Sequence, residues 1–191
     1  MSEEADYGSD ADQSPMRPTN PPDAYPVELE QWVAVGEGYQ VFVRPIIPED
    51  VARLRYAFDH ADIETLRRRF FTAAPPMDRS HLEYLAGVDY DHRLALLAMD
   101  CDGVSVGIGR YEQIADGLAE VAIVVAPQWR RRRVGTVLLE LLEPVAAAHG
   151  ITMLKALYLP DNRAVEELLA AIGYGGRHVV DGIVEVTKPI G

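Results

Sequence analysis

The segment from Leu118 to Gly150 constrains the fold most. Leu118-Ala119-Glu120-Val121-Ala122-Ile123-Val124-Val125 is an apolar run of strand length with one charge in it. Pro127 ends that strand. Val134, Val137, Leu138, Leu141, Leu142 and Val145 then recur at the i, i+3, i+4, i+7 spacing of an amphipathic helix, which stops at Gly150. Pro144 is expected to kink this helix or end its regular part. An apolar strand feeding an apolar-faced helix has to bury that face in a layered domain.

The rest of the chain supplies further strands and helices. Tyr39 to Arg44 reads as a first strand. Pro48-Glu49-Asp50 opens a helix that Val51, Leu54 and Phe58 continue, with proline and acids in the first turn, where orphan amides favour them. A second helix is expected from Ile63 to Phe71, stopped by Pro75-Pro76, and a short third from His81 to Ala86, capped by Ser80. Arg93 to Met99, Val104 to Tyr111 and Leu118 to Val125 are strands joined at Asp100-Cys101-Asp102-Gly103 and Asp116-Gly117. Such short turns make antiparallel neighbours. Ile151 to Leu159 is a further strand. Asp161-Asn162 caps a helix that shows Val165, Leu168, Leu169 and Ile172 on one face and ends at Gly173. His178 to Thr187 turns at Asp181-Gly182 as a terminal hairpin. The expected class is α/β, in the mixed α+β sense, around one sheet.

Composition bounds the organisation. Residues 1–30 hold eight acids and one base, Arg17, and so carry seven of the twelve net negative charges. Residues 1–25 are rich in Asp, Ser, Pro and Asn and are expected to form a disordered acidic tail, with one folded domain over 26–191. The acidic balance argues against general nucleic-acid binding. No apolar run approaches the roughly 18 residues of a membrane span. Met1-Ser2-Glu3-Glu4 lacks the basic and apolar regions of a secretion signal, and Cys101 is the only cysteine. The expectation is a reduced, cytoplasmic protein away from membranes.

The most informative residues are Val125-Ala126-Pro127-Gln128-Trp129-Arg130-Arg131-Arg132-Arg133-Val134-Gly135-Thr136. They form a strand end, a basic turn and a helix start. The first amides of a helix lack intrahelical partners and lie at the positive end of its dipole, so a phosphate finds donors and a favourable field there. Arginines add charge-assisted bonds, and Gly135 lets the backbone approach an anion closely. A solvated basic run before a helix is the alternative.

This segment resembles the acyl-CoA pyrophosphate loop of the GNAT superfamily, Gln/Arg-x-x-Gly-x-Gly/Ala after a strand ending near Val-x-Pro. Arg130 falls on the Gln/Arg position and Gly135 on the second glycine. Arg133 stands at the first glycine, which an arginine suits only with helical dihedrals and its side chain turned away. Asn162 followed by Gly173-Tyr174 is similar to the second motif, Asn…Gly-Phe, and the element order matches over about 39 to 188. The resemblance implies a mostly antiparallel sheet splayed to bind acyl-CoA. It also implies contacts to acetyl-CoA from Ile123, Val125, Arg130, Arg131, Arg132, Arg133, Val134, Gly135, Thr136 and Asn162. Val43-Arg44-Pro45-Ile46, Pro48-Glu49-Asp50, Arg69-Phe70-Phe71 and Val88-Asp89-Tyr90 are similar to the bacterial protein-lysine acetyltransferases. That type is often fused to acyl-CoA synthetase-like or ligand-sensing domains, for which residues 1–30 are too short. The likeness implies an acceptor protein, such as an acyl-CoA synthetase.

Amine attack on a thioester needs a neutral amine, whereas a free lysine, with a pKa of about 10.4, is mostly protonated at neutral pH. A carboxylate within reach is the natural base. Glu120 is the only charge in its strand, about 17 Å of extended chain before Val125. Burial there would favour the neutral carboxyl and bring the group nearer to working pH. The resemblance implies that this Glu is the base; an exposed first strand residue is the alternative. The hydroxyl acid that many members place seven residues beyond the Asn is Leu169 here. The five histidines show no metal-ligand spacing, so no metal is expected. Cys101 lacks a local His to activate it. Arg67-Arg68-Arg69 reads as a helix face, with Arg69-Phe70-Phe71 as a possible acceptor entrance. Three readings follow: a protein-lysine acetyltransferase, a small-amine acetyltransferase, and a non-catalytic acyl-CoA-binding regulatory module.

Overall fold

Strand alternation sets the two faces of the sheet in this computed structural model, which describes residues 16–36, 38–72, 75 and 78–191. The strands are β1 (Gln31–Val35), β2 (Tyr39–Pro45), β3 (Arg93–Met99), β4 (Ser105–Ala115), β5 (Leu118–Val125), β6 (Met153–Tyr158), β7 (Gly175–Val180) and β8 (Ile183–Pro189). The helices are α1 (Val51–Asp59), α2 (Ile63–Phe70), α3 (Arg79–Ala86), α4 (Val134–Ala148) and α5 (Arg163–Ala171). The sheet runs β1-β2-β3-β4-β5-β6-β8-β7. Every neighbouring pair is antiparallel except β5 and β6. This is the expected α+β sheet.

On one face, Leu94, Leu96, Tyr111, Ala119, Val121, Leu154 and Ala156 join Val134, Leu138 and Leu142 of α4 and Leu169 of α5 in the main core. Gly109 makes close packing possible there, because a Cβ on it would sit 2.9 Å from Leu138 Cβ. On the other face, Ile46 and Ala95 pack with Leu54 of α1 and Leu82, Leu85 and Ala86 of α3.

Three local outcomes differ from the sequence expectations. β1 is an added edge strand; only Val35 of its five residues is buried, so it carries no clean alternation. Asp78, not Ser80, caps α3: its Oδ1 accepts from His81 N at 2.8 Å and from Ser80 Oγ at 2.8 Å. α4 runs on through Pro144 to Ala148. Pro144 and Glu140 are both exposed, so the carbonyl left without its helical donor faces water.

The expected tail also divides. Residues 1–15 lie outside the described residues, but Met16 is buried with Phe42, Leu97 and Met99. Its carbonyl accepts from Arg44 Nε at 2.7 Å, and Arg44 is itself held on both oxygens of buried Asp50 at 2.7 Å. Tyr25 is buried edge-on to Tyr90, with ring centroids 5.9 Å apart. Isolated apolar side chains in a Pro-rich stretch thus cover the sheet, and average composition hides them. Among the described residues no helix is long and apolar enough to cross a membrane.

Candidate active site

β5 and β6 pair only from Leu118↔Met153 to Val121↔Ala156. Beyond that row β5 stays with β4 as far as Val125↔Gly107, while β6 stays with β8 as far as Tyr158↔Val184. The strands part, and the inner edge of each is left without its ladder partner. Unpaired strand edges offer amides and carbonyls to an extended, amide-bearing ligand. A groove of about 780 Å³ opens there. Glu120, Ile123, Val125, Arg130, Arg131, Arg133, Val134, Gly135, Thr136 and Asn162 all line it.

Arg132 does not. Its guanidinium stacks 3.9 Å from the ring centroid of Tyr39 and 5.1 Å from that of Trp129, which pins the loop to β2. Arg130 Nη2 donates to Thr65 Oγ1 at 2.7 Å and so ties α2 to the loop. Arg133, the N-cap of α4, has φ 64° and ψ 6°. The expected helical dihedrals are therefore not adopted. Arginine takes the left-handed conformation that explains a glycine at this position, and Arg131 has φ 59° as well. Left-handed residues turn successive amides toward one side, a concavity suited to an anion, in front of the orphan amides of α4. Gly135 has a second role: a Cβ on it would lie 3.0 Å from Ile123 Cδ1 and 3.1 Å from Leu168 Cδ1, so it seats α4 against β5 and α5. Asn162 is 6% exposed, and its Oδ1 accepts from Val165 N at 3.4 Å as the α5 cap.

Glu120 lies on the face of α1 to α3. Its row across the sheet is Arg93↔Glu112↔Glu120↔Lys155. The anticipated burial of Glu120 is not met. Its side chain is 35% exposed, and Lys155 Nζ stands 3.7 Å from Oε2. Strand edges that separate here leave the carboxylate open to the groove. Tyr84 OH donates to Glu112, which raises the phenol above its ordinary range. Arg110, opposite Ala122, is 8% exposed, donates from Nη2 to Leu85 O at 3.0 Å, and has no partner for Nε among the described residues. Burial, with Arg69 and Arg93 nearby, pushes its guanidinium down to about 10. Burial likewise lowers Arg69, which lines the groove with Arg68 and Phe71.

Leu169 is 3% exposed and lines the groove without a hydroxyl. Among the described residues no group of three His, Cys, Asp or Glu side chains is placed to hold a metal ion, and Cys101 is exposed in a turn.

Residues 60–174 match the model of the acetyltransferase (GNAT) family. The chain is 28% identical over 165 residues to an acetyltransferase of Pseudomonas aeruginosa, across 84% of this chain and 89% of that protein. It is 31% identical over 144 residues to acetyltransferase Pat of Mycolicibacterium smegmatis, across 74% of this chain but only 43% of that longer protein. The crystal structure of the GNAT domain of S. lividans PAT is similar with a TM-score of 0.81 and 28% identity, over 87% of this chain and 99% of that one.

Proposed function

This chain belongs to the acetyltransferase (GNAT) family, whose members use acetyl-CoA, and we propose that it acetylates a protein lysine ε-amine with Glu120 as general base. The observation that carries this reading is the position of Glu120: on the groove wall, one row before β5 and β6 part, on the face opposite α4. The pyrophosphate of acetyl-CoA would lie at Arg130, Arg131 and Arg133 and the α4 amides. The pantetheine arm would take up ladder positions between the strands. The lysine ammonium gives its proton to Glu120, directly or through water. The neutral nitrogen attacks the thioester carbonyl, the C–N bond forms, the C–S bond breaks, and CoA leaves as thiolate. Leu169 offers no proton to that thiolate, so water supplies it. Likeness to the Pat proteins supports a protein acceptor.

Glu120→Gln keeps the volume and removes the proton acceptor. Turnover is expected to fall by roughly 10²–10⁴, with acetyl-CoA affinity little changed because the side chain faces the amine. Steady-state kinetics and a binding titration check both halves. Unchanged turnover would remove Glu120 from the mechanism. A small amine is the second reading, favoured by Arg69, which lines the groove and suits an amine that also bears a carboxylate. Mass spectrometry of products from protein and amino-acid acceptors separates the two. Acetyl-CoA binding without CoA release to any amine would leave a regulatory module.

A further inference from the structure

We propose that Lys155 is an internal acceptor, and that the enzyme acetylates this side chain in cis from acetyl-CoA held in the groove. The inference rests on the reading of the groove and of Glu120 given above. The chain has only two lysines, Lys155 and Lys188, against sixteen arginines. One of the two stands beside the site, outside the groove lining but against Glu120, which does line it. Lys155 is the β6 partner of Glu120, one residue before Ala156, where the paired part of the two strands ends. It is therefore the last β6 side chain on the acceptor face before the gap opens. Its ammonium lies 3.7 Å from Glu120 Oε2 and 3.8 Å from Glu185 Oε2, and its side chain is 19% exposed. An arginine there would complete both ion pairs and could not be acylated. A lysine brings an acylatable nitrogen to the carboxylate that has to receive the acceptor's proton.

The step balances as it does for an external amine. The Lys155 ammonium passes a proton to Glu120, and the neutral Nζ attacks the thioester carbonyl. The C–N bond forms as the C–S bond breaks, and CoA departs as thiolate and is protonated by water. The product amide is neutral, so Glu120 and Glu185 lose their shared cation. Lys188 is a control within the same chain. It pairs with Leu154 across β6 and β8, which puts it on the α4 face, where its ammonium bonds Glu143.

The test incubates the full chain with acetyl-CoA and no acceptor, follows intact mass, and maps the label by peptide mass spectrometry. Wild type and Lys188→Arg are expected to gain one acetyl group on the Lys155 peptide, with a rate constant independent of protein concentration. Lys155→Arg should gain none there and should keep its cooperative melt, because the cation remains. Glu120→Gln should label roughly 10²–10⁴-fold more slowly. Label on Lys188 alone, a rate that grows with protein concentration, or equal labelling of Glu120→Gln overturns the proposal. So does an unlabelled wild type that is stabilised by acetyl-CoA and turns over an amine, which leaves the proposed function standing. A chain that acetyl-CoA does not stabilise at all overturns the reading of the groove, and this proposal with it.

Discussion

Arg133 and Gly135 show how single residues shape the loop that faces the phosphates. Arg133 holds φ 64°, a conformation that costs a side chain-bearing residue about 1–2 kcal/mol. Glycine relieves that strain but gives back about 0.5–1 kcal/mol through the freer unfolded chain. Arg133→Gly should therefore raise stability by up to about 1.5 kcal/mol, read as a higher denaturant midpoint. It should weaken acetyl-CoA binding by less than about tenfold, because an exposed cation contributes little and the α4 amides remain. A lower midpoint would show that the arginine side chain contributes packing or an ion pair that outweighs the strain. Gly135 predicts the opposite sign. A methyl group there meets Ile123 and Leu168 near 3 Å, and overpacking of this kind costs about 1–3 kcal/mol. Gly135→Ala should lower the midpoint and weaken acetyl-CoA binding together, since α4 must move away from the groove. Both effects would be read in the same pair of titrations.

At the scale of elements, α2 is tied across the groove mouth at two points. Arg130 reaches Thr65, and Arg67 reaches Asp161 at 2.5 Å. Its first turn depends on two ionised carboxylates. Asp62 caps it, held below its usual range by the Thr65 hydroxyl and amide. Glu64 is lowered to about 2 by Arg67 and Arg68. Both groups are more acidic folded than unfolded, so their contribution is complete above the unfolded value, about 4.3 for glutamate, and is lost as pH falls toward about 2. Hydrogen exchange should show α2 amides losing protection over this window before those of α4. Simultaneous loss in both helices would show that α2 has no local transition. Much of this element pattern was legible in the sequence, because the apolar periodicities of α4 and α5 and the Gly turns between strands are strong local signals. The row around Glu120 was not. A bulge between Gln113 and Ala115 shifts the β4–β5 register, so counting back from the Asp116-Gly117 turn sets Gln113, not Glu112, opposite Glu120. The loop arginines were legible as a group but not one by one, since the stacking of Arg132 on Tyr39 joins residues far apart in the chain.

Over the whole molecule, the N-terminal segment decides how much chain the domain needs. Composition alone puts the boundary at residue 26, yet Met16 fills a buried site against Phe42, Leu97 and Met99. Its carbonyl also receives Arg44, which is 3% exposed and bound to Asp50. Met16→Ala removes the side chain and keeps the carbonyl, at a cost of about 2–5 kcal/mol if the site cannot collapse. Deleting residues 1–25 removes both, together with the Tyr25 contact to Tyr90. A hydrogen bond to a charged group adds about 1.5–3 kcal/mol to the loss. The expected order of melting temperature is therefore wild type, then Met16→Ala, then the deletion. Deleting residues 1–14, which leaves Met16 in the chain, should keep the wild-type value. Acetyl-CoA at 100-fold excess over its dissociation constant should still add about 2.7 kcal/mol to any variant that folds, because the segment packs on β2 and β3 and the groove lies between β5 and β6. An unchanged melting temperature for the 1–25 deletion would return the domain boundary to residue 26. A deletion that stays folded but no longer gains stability from acetyl-CoA would show that the segment supports the groove across the sheet.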